Sequence, residues 1–143
     1  MLEEFVHGGV SPREGANRDT NDLRFNTRIM RVHFFRPFSV ERLGVKLNRI
    51  PFMSDFDTTL QLLRAGAENF CLNNWVHNQA GSNTEGGCST TRSLEKLGQA
   101  AERLHELHPE FVTVVEKTTK GSWGGGTRKD VRIQWKKALG VRP

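Results

Sequence analysis

The stretch 111–135, FVTVVEKTTKGSWGGGTRKDVRIQW, is the part of the sequence that says most about the fold. Its first residues are strand-like, and at its other end Val131, Ile133 and Trp135 alternate with polar residues. Alternation with a period of two is typical of a strand with one buried face. Residues 118–127 between the two halves are rich in glycine and too many for a tight turn. We therefore predict a β-hairpin with a long glycine-rich tip.

Positive charge is concentrated around this hairpin. Residues 117–143 hold eight Lys or Arg against one acid, Asp130, although the whole chain carries a net charge of only +5. A second basic block, residues 24–49, holds seven basic residues against one acid. Segregated positive charge favours a polyanionic partner, most often nucleic acid, DNA or RNA. The predicted nucleic-acid-binding residues are Arg24, Arg28, Arg31, Arg92, Lys96, Lys117, Lys120, Trp123, Arg128, Lys129, Arg132, Lys136 and Lys137.

The spacing of apolar residues predicts the remaining secondary-structure elements. Residues 1–22 show no apolar period, and we predict an extended arm there, followed by a single α+β domain over 23–143. Alternation from Leu23 to Phe34 predicts strand structure, with a change of phase near Ile29 that suggests a bulge.

Three helices are expected between the strand region and the hairpin. Apolar residues over 40–50, with Ser39 as a cap, predict a short helix. Apolar residues spaced by three and four from Phe56 predict a longer helix that begins at Ser54 and runs to about Trp75. Residues 77–90 are turn formers, and another helix follows from Ser89 or Thr90 to about Leu107.

The order helix, loop, helix and basic hairpin over residues 54–137 resembles the second half of a winged-helix domain. The resemblance rests on the order of the elements and on no diagnostic motif, and a general α+β domain that uses its sheet or hairpin is the alternative. It implies a recognition helix in the major groove and a wing along the backbone. The residues it would place against DNA are Thr90, Thr91, Arg92, Ser93 and Lys96 in the helix, and Lys117, Lys120, Arg128 and Lys129 in the wing.

Two tryptophans differ in their expected roles. Trp123 lies among glycines, where no core would hold it, and exposed aromatic residues among cations suit stacking on unpaired bases. Trp135 shares its parity with Val131 and Ile133, and we expect it in the core.

No catalytic, cofactor-binding or metal-binding motif is present. The glycine run leads into a strand without the G-K-[ST] of a nucleotide-binding loop. Cys71, His77, Cys88 and the histidines at 105 and 108 lack the paired spacing of a zinc site. We therefore predict a protein that is not an enzyme and that holds neither a cofactor nor a metal.

Location and the alternative functions follow from composition. No segment reaches the roughly 18 apolar residues of a membrane span, and the acidic start of the chain lacks the pattern of a secretory signal. Two cysteines favour the cytoplasm or another reducing compartment. Two other functions stay open: a structural subunit of a large nucleoprotein assembly such as a ribosome or virion, and a protein-interaction module for an acidic partner.

Overall fold

A computed structural model of the chain describes residues 4–12, 20–78, 93–118 and 126–141. In these residues it has six β-strands in two sheets and three α-helices, which confirms the predicted α+β class. The chain divides into two compact units. The first unit comprises residues 1–49, 54–79 and 134–143, and the second comprises residues 50–53 and 80–133.

A four-stranded sheet organises the first unit. Its strands are β1 (His7–Pro12), β2 (Leu23–Phe25), β3 (His33–Phe35) and β4 (Asn69–His77), in the spatial order β2-β4-β1-β3. β1 is parallel to β4 and antiparallel to β3, and β2 is antiparallel to β4. β1 and β4 are therefore the inner strands and carry most of the buried residues of the sheet.

β1 lies within the segment for which the sequence predicts an extended arm. Its two glycines hide the strand pattern, but close packing requires them. A Cβ atom at Gly8 would lie 2.5 Å from the Phe70 ring, and one at Gly9 would lie 2.2 Å from Cγ2 of Ile29. Segment 7–12 is thus an inner strand. Its two glycines leave the space that the side chains of Phe70 and Ile29 occupy.

The alternating segment from Leu23 to Phe34 forms two short strands separated by irregular backbone. Instead of a single bulge, residues 26–32 leave the sheet between β2 and β3. Asn26 and Arg31 adopt positive φ angles of 50° and 65°, which turn the chain at both ends of this excursion. Ile29 in its centre is completely buried, so the apolar residue at the change of phase serves the core and not a strand face.

Two α-helices belong to the first unit. The helix α1 (Pro37–Arg42) begins at a proline, which suits the first helical position. The helix α2 (Ser54–Arg64) buries Phe56, Leu60 and Leu63. The predicted continuation of α2 to Trp75 is wrong, because Gly66 at φ 85° ends the helix and β4 begins at Asn69.

The second unit joins one helix to the hairpin. The helix α3 (Leu94–Leu107) begins at Ser93, whose Oγ accepts a hydrogen bond from the backbone N–H of Lys96 at 3.1 Å. β5 (Val112–Thr118) and β6 (Thr127–Ile133) pair antiparallel in continuous register from Val112–Ile133 to Thr118–Thr127. Leu97, Ala101 and Leu104 of α3 are buried together with Val112 and Val131 of the hairpin.

None of the helices in the described ranges combines the length and apolar character needed to cross a bilayer. The predicted loop over residues 77–90 lies outside the described residues from position 79 onward, as does the predicted start of a helix at Ser89 or Thr90.

Candidate nucleic-acid interface

Carboxylates of the same unit pair with three of the predicted hairpin cations. Lys117 Nζ lies 2.9 Å and Arg128 Nη2 lies 3.0 Å from the same Asp130 oxygen, Oδ2. Lys129 bonds to Glu102 of α3. The register explains the first cluster, because Lys117 faces Arg128 across the strands and Asp130 follows two residues later on the same face.

The hairpin therefore presents less free positive charge than its composition indicates. Partial burial alone would raise the pKa of Asp130, but the hydrogen bond from Lys117 and the charges of Lys117 and Arg128 hold that pKa below its ordinary value. Asp130 is consequently ionised at neutral pH and offsets part of its neighbours' charge. Arg132 differs, since it is exposed and pairs with no carboxylate of the described ranges.

The predicted cations before the hairpin have varied surroundings. Arg24 is half-buried, and its Nη2 lies 3.4 Å from Ser11 Oγ. The Arg28 guanidinium lies 4.1 Å from the centre of the Phe56 ring, a cation–π contact inside the first unit. Arg31 is half-buried at its positive φ angle, and Lys96 is exposed in the first turn of α3. Arg92, Lys120 and Trp123 lie outside the described residues.

Two of the predicted cations, Lys136 and Lys137, lie at a pocket. Both are exposed, neither forms an ion pair with any residue that the structure describes, and both line a pocket of about 300 Å³ in the first unit. The complete lining is Asn26, Thr27, Gln134, Trp135, Lys136 and Lys137. The pocket thus joins the turn after β2 to the C-terminal basic segment.

One buried side chain fixes the wall formed by the turn after β2. Asn69, at the start of β4, is fully buried and bonds to both backbone groups of Thr27. Its Oδ1 accepts from the Thr27 N–H and its Nδ2 donates to the Thr27 C=O, each at 2.9 Å. The Asn69 C=O also accepts from the Asn26 N–H at 3.0 Å. Asn69 therefore makes the backbone hydrogen bonds that a neighbouring strand would otherwise make to this turn, and these bonds fix the conformation of the turn.

A second wall belongs to a 3-10 helix, Trp135–Ala138, that is anchored to α2. Ala138 is completely buried, and the N–H of Gly140 donates to the Leu63 C=O at 2.9 Å. Trp135 is half-buried beyond the end of β6 and meets Phe56 edge to face, with ring centroids 5.8 Å apart. The two lysines thus project from a short helix whose other residues are tied to the core.

A second polar cluster in the first unit was not predicted. His7 Nε2 lies 3.0 Å from His33 Nδ1, and both rings lie nearly parallel to the Phe35 ring. Burial, with the nearby charge of His33 as a smaller cause, lowers the pKa of His7 to about 3. Burial also raises the pKa of Asp55, against the effects of Arg28 and His33. His7 is only 1% exposed, whereas His33 and Asp55 are half-buried.

Within the described ranges no group of three or more His, Cys, Asp or Glu side chains is placed to hold a metal ion. Cys71 is a buried cysteine on β4.

Comparison of the chain with protein-family models, with curated proteins and with solved structures gives no significant match in any of the three. Functional inference for this chain therefore rests on its own residues and geometry.

Proposed function

We propose that this protein binds nucleic acid without catalysing a reaction, and that Lys136 and Lys137 are its principal phosphate contacts. The observation that carries the proposal is the pocket beside these two lysines. Their side chains are exposed and form no ion pairs with described residues, so phosphate contact would not first require an internal ion pair to break. Trp135 adds an aromatic ring to the same pocket, and Asn26, Thr27 and Gln134 add polar groups.

The hairpin takes a secondary role in this proposal. Arg132 is free to meet phosphate, whereas Lys117, Arg128 and Lys129 would exchange an ion pair for a phosphate contact. Such an exchange contributes less net affinity than contact by a solvated, unpaired cation. A winged-helix mode, with α3 as the recognition helix and β5–β6 as the wing, remains a prediction from the order of the elements.

Exposed apolar side chains favour a second candidate, a structural subunit of a larger nucleoprotein assembly. Phe38 is 76% exposed and Trp75 is 70% exposed. Where such side chains form one contiguous patch, they are typical of surfaces that a partner covers. Size-exclusion chromatography with light scattering would separate the candidates, since an assembly subunit should self-associate at micromolar concentration and a free regulator should remain monodisperse.

Salt dependence tests the first proposal. Affinity for a dye-labelled oligonucleotide, measured by fluorescence anisotropy, should fall with salt at a log–log slope steeper than about −4, because each phosphate contact releases a counterion. The Lys136→Gln/Lys137→Gln double variant should reduce the steepness of that slope by about 1.5. The matched control is Arg42→Gln/Lys46→Gln, which removes two exposed cations of the same unit away from the pocket.

The possible results of these binding measurements lead to different conclusions. A flat salt slope for the unmodified protein contradicts nucleic-acid binding through phosphates. Equal losses in the two double variants contradict the assignment to Lys136 and Lys137 and indicate diffuse attraction by net charge. Retention by an acidic protein or peptide, with no retention of any nucleic acid at low salt, would instead support an interaction module for an acidic partner.

A further inference from the structure

The shape and lining of the pocket restrict which form of nucleic acid it can receive. It is a shallow hollow of about 300 Å³, open to solvent, and the Trp135 ring and two lysines are part of its lining. Duplex DNA keeps the faces of its bases inside the stack and presents only their edges in its grooves, whereas an unpaired base can lay its face on an aromatic side chain. A shallow hollow lined by an indole ring therefore suits an unpaired base better than a base pair.

The groups that line the pocket suit the parts of a nucleotide. The Thr27 backbone is occupied by Asn69, so Thr27 offers a ligand its hydroxyl group. No hydrogen bond from a described residue engages the side chain of Thr27 or of Gln134, and both can meet the edge of a base. Lys136 and Lys137 supply two ammonium groups for the flanking phosphates.

Trp135 provides the surface on which a base would stack. Its contact with Phe56 is edge to face, at an interplanar angle of 85°, so this contact covers at most one face of the indole. The adjoining residues, Gln134 and Lys136, are exposed. Stacking on an aromatic side chain is a common way to hold an unpaired base and is tolerant of its sequence.

We propose that the pocket binds one unpaired nucleotide of a single strand, with the base against Trp135 and the adjacent phosphates on Lys136 and Lys137. This inference rests on the proposed function and narrows it to single-stranded DNA or RNA. Because Asn69 holds one wall and α2 anchors the other, the site is largely formed before the ligand arrives. A preformed site loses less conformational entropy on binding than one that must first be ordered.

The test uses Trp135 as its own reporter. The chain has three tryptophans, so the Trp75→Phe/Trp123→Phe variant leaves Trp135 as the single source of indole emission. The ligands are oligothymidylate and oligouridylate of about eight nucleotides and a DNA duplex of similar charge. Indole emission reports contact with the pocket, and anisotropy of a dye on each oligonucleotide reports binding to any part of the protein.

The expected result is saturable quenching of Trp135 by one or both single strands at the concentrations at which anisotropy rises, and no quenching by the duplex. Trp135→Leu should weaken single-strand binding roughly tenfold and leave duplex binding within about twofold. Trp135→Phe, which keeps an aromatic ring against Phe56, should recover most of the loss. A stronger response to oligothymidylate than to oligouridylate would assign DNA, and the reverse would assign RNA.

Two results would overturn the inference, and they have different meanings. If anisotropy rises equally for single strands and duplex while Trp135 emission stays constant, the pocket does not receive a nucleotide but the protein still binds nucleic acid. If anisotropy rises for neither, the proposed function itself fails. Circular dichroism of each variant identifies a loss of fold, and the Trp135→Phe variant keeps the test valid if Trp135→Leu does not fold.

Discussion

His7 Nε2 and His33 Nδ1 lie 3.0 Å apart, in a cluster where His7 is 1% exposed and its own Nδ1 has no hydrogen-bond partner among the described residues. The two histidines belong to strands β1 and β3, which are held together by only three residue pairs. A proton added to His7 must enter a position that is almost closed to water, although His33 is only half-buried. The edge strand β3 is therefore attached to the sheet next to His7, a side chain that resists protonation in the folded protein.

Folding stability should consequently decrease in mild acid. Burial and the charge of His33 lower the pKa of His7 from its ordinary 6.5 to about 3, so the unfolded chain binds the proton more readily. The stabilisation is fully present above pH 6.5, is lost progressively as the pH falls below 6.5, and is gone once the pH has fallen through 3. Between pH 7 and pH 5 the expected loss from His7 is about 2 kcal/mol. Urea denaturation at a series of pH values measures it.

The substitution His7→Gln distinguishes the contribution of His7 to the pH dependence of stability from the contributions of the other groups in the cluster. His7→Gln keeps a hydrogen-bonding group towards His33 but cannot titrate, so its stability should vary much less between pH 7 and pH 5. The unmodified protein, measured over the same pH series, is the reference for this comparison. Asp55 acts in the opposite sense, because its raised pKa favours the folded state in acid and that contribution disappears as the pH rises. An unchanged pH dependence in His7→Gln would show that His7 is not the source.

Asn69→Ala should destabilise the protein by about 3 kcal/mol, because it leaves the N–H and C=O of Thr27 without partners in a partly buried turn. The matched control is Asn74→Ala on the same strand, which alters an exposed side chain and should change stability by less than about 0.5 kcal/mol. Thermal or urea unfolding provides the comparison. Similar values for the two variants would show that Asn69 does not hold the wall of the pocket.

Two glycine-to-alanine substitutions should have opposite signs. Gly9→Ala should cost about 3 kcal/mol, since the new methyl group would lie 2.2 Å from Ile29 Cγ2 and 2.5 Å from the Val32 carbonyl oxygen. Gly98→Ala should stabilise by up to about 1 kcal/mol, because it raises helix propensity inside α3 and its nearest contact, Lys129 Cδ, is at 3.5 Å. If Gly9→Ala folds with unchanged stability, β1 does not pack as an inner strand.

Asp130→Asn tests how far the hairpin contributes to binding. Removing the carboxylate abolishes the ion pairs of Lys117 and Arg128 with Asp130, so affinity for nucleic acid should rise by about threefold if these cations reach phosphate. Glu41→Gln makes the same change in net charge at an exposed position of the first unit, outside the hairpin sequence. Equal effects of the two variants on affinity would exclude a specific role for the hairpin cations.

The elements that the sequence predicted best are those in which local pattern and tertiary packing agree. The strand-like residues from Phe111 and the alternating Val131 and Ile133 fall in β5 and β6, which pair in unbroken register. β1 was missed because Gly8 and Gly9 have no side chains to show the alternation. The predicted extension of α2 was wrong because Phe70 continues the helical spacing by coincidence, whereas Gly66 ends the helix.

The candidate site was predictable in its charges but not in its geometry. Lys136 and Lys137 stand out by charge, yet nothing in the sequence distinguishes them from Lys117 and Arg128, whose partner Asp130 acts through cross-strand register. Asn26 and Thr27 join the pocket only because Asn69 holds their turn, a contact between residues more than 40 positions apart. Such contacts depend on the assembled sheet and leave no local pattern.

Amide NMR spectra recorded during titration with a single-stranded octanucleotide test the central claim most directly, because they report contact residue by residue. The account predicts that the largest shifts occur at Asn26, Thr27 and the segment 134–137, including the indole N–H of Trp135, with smaller shifts along the hairpin. Saturable binding with shifts confined to other surfaces, such as α3 or the exposed aromatic residues of β3, would contradict it.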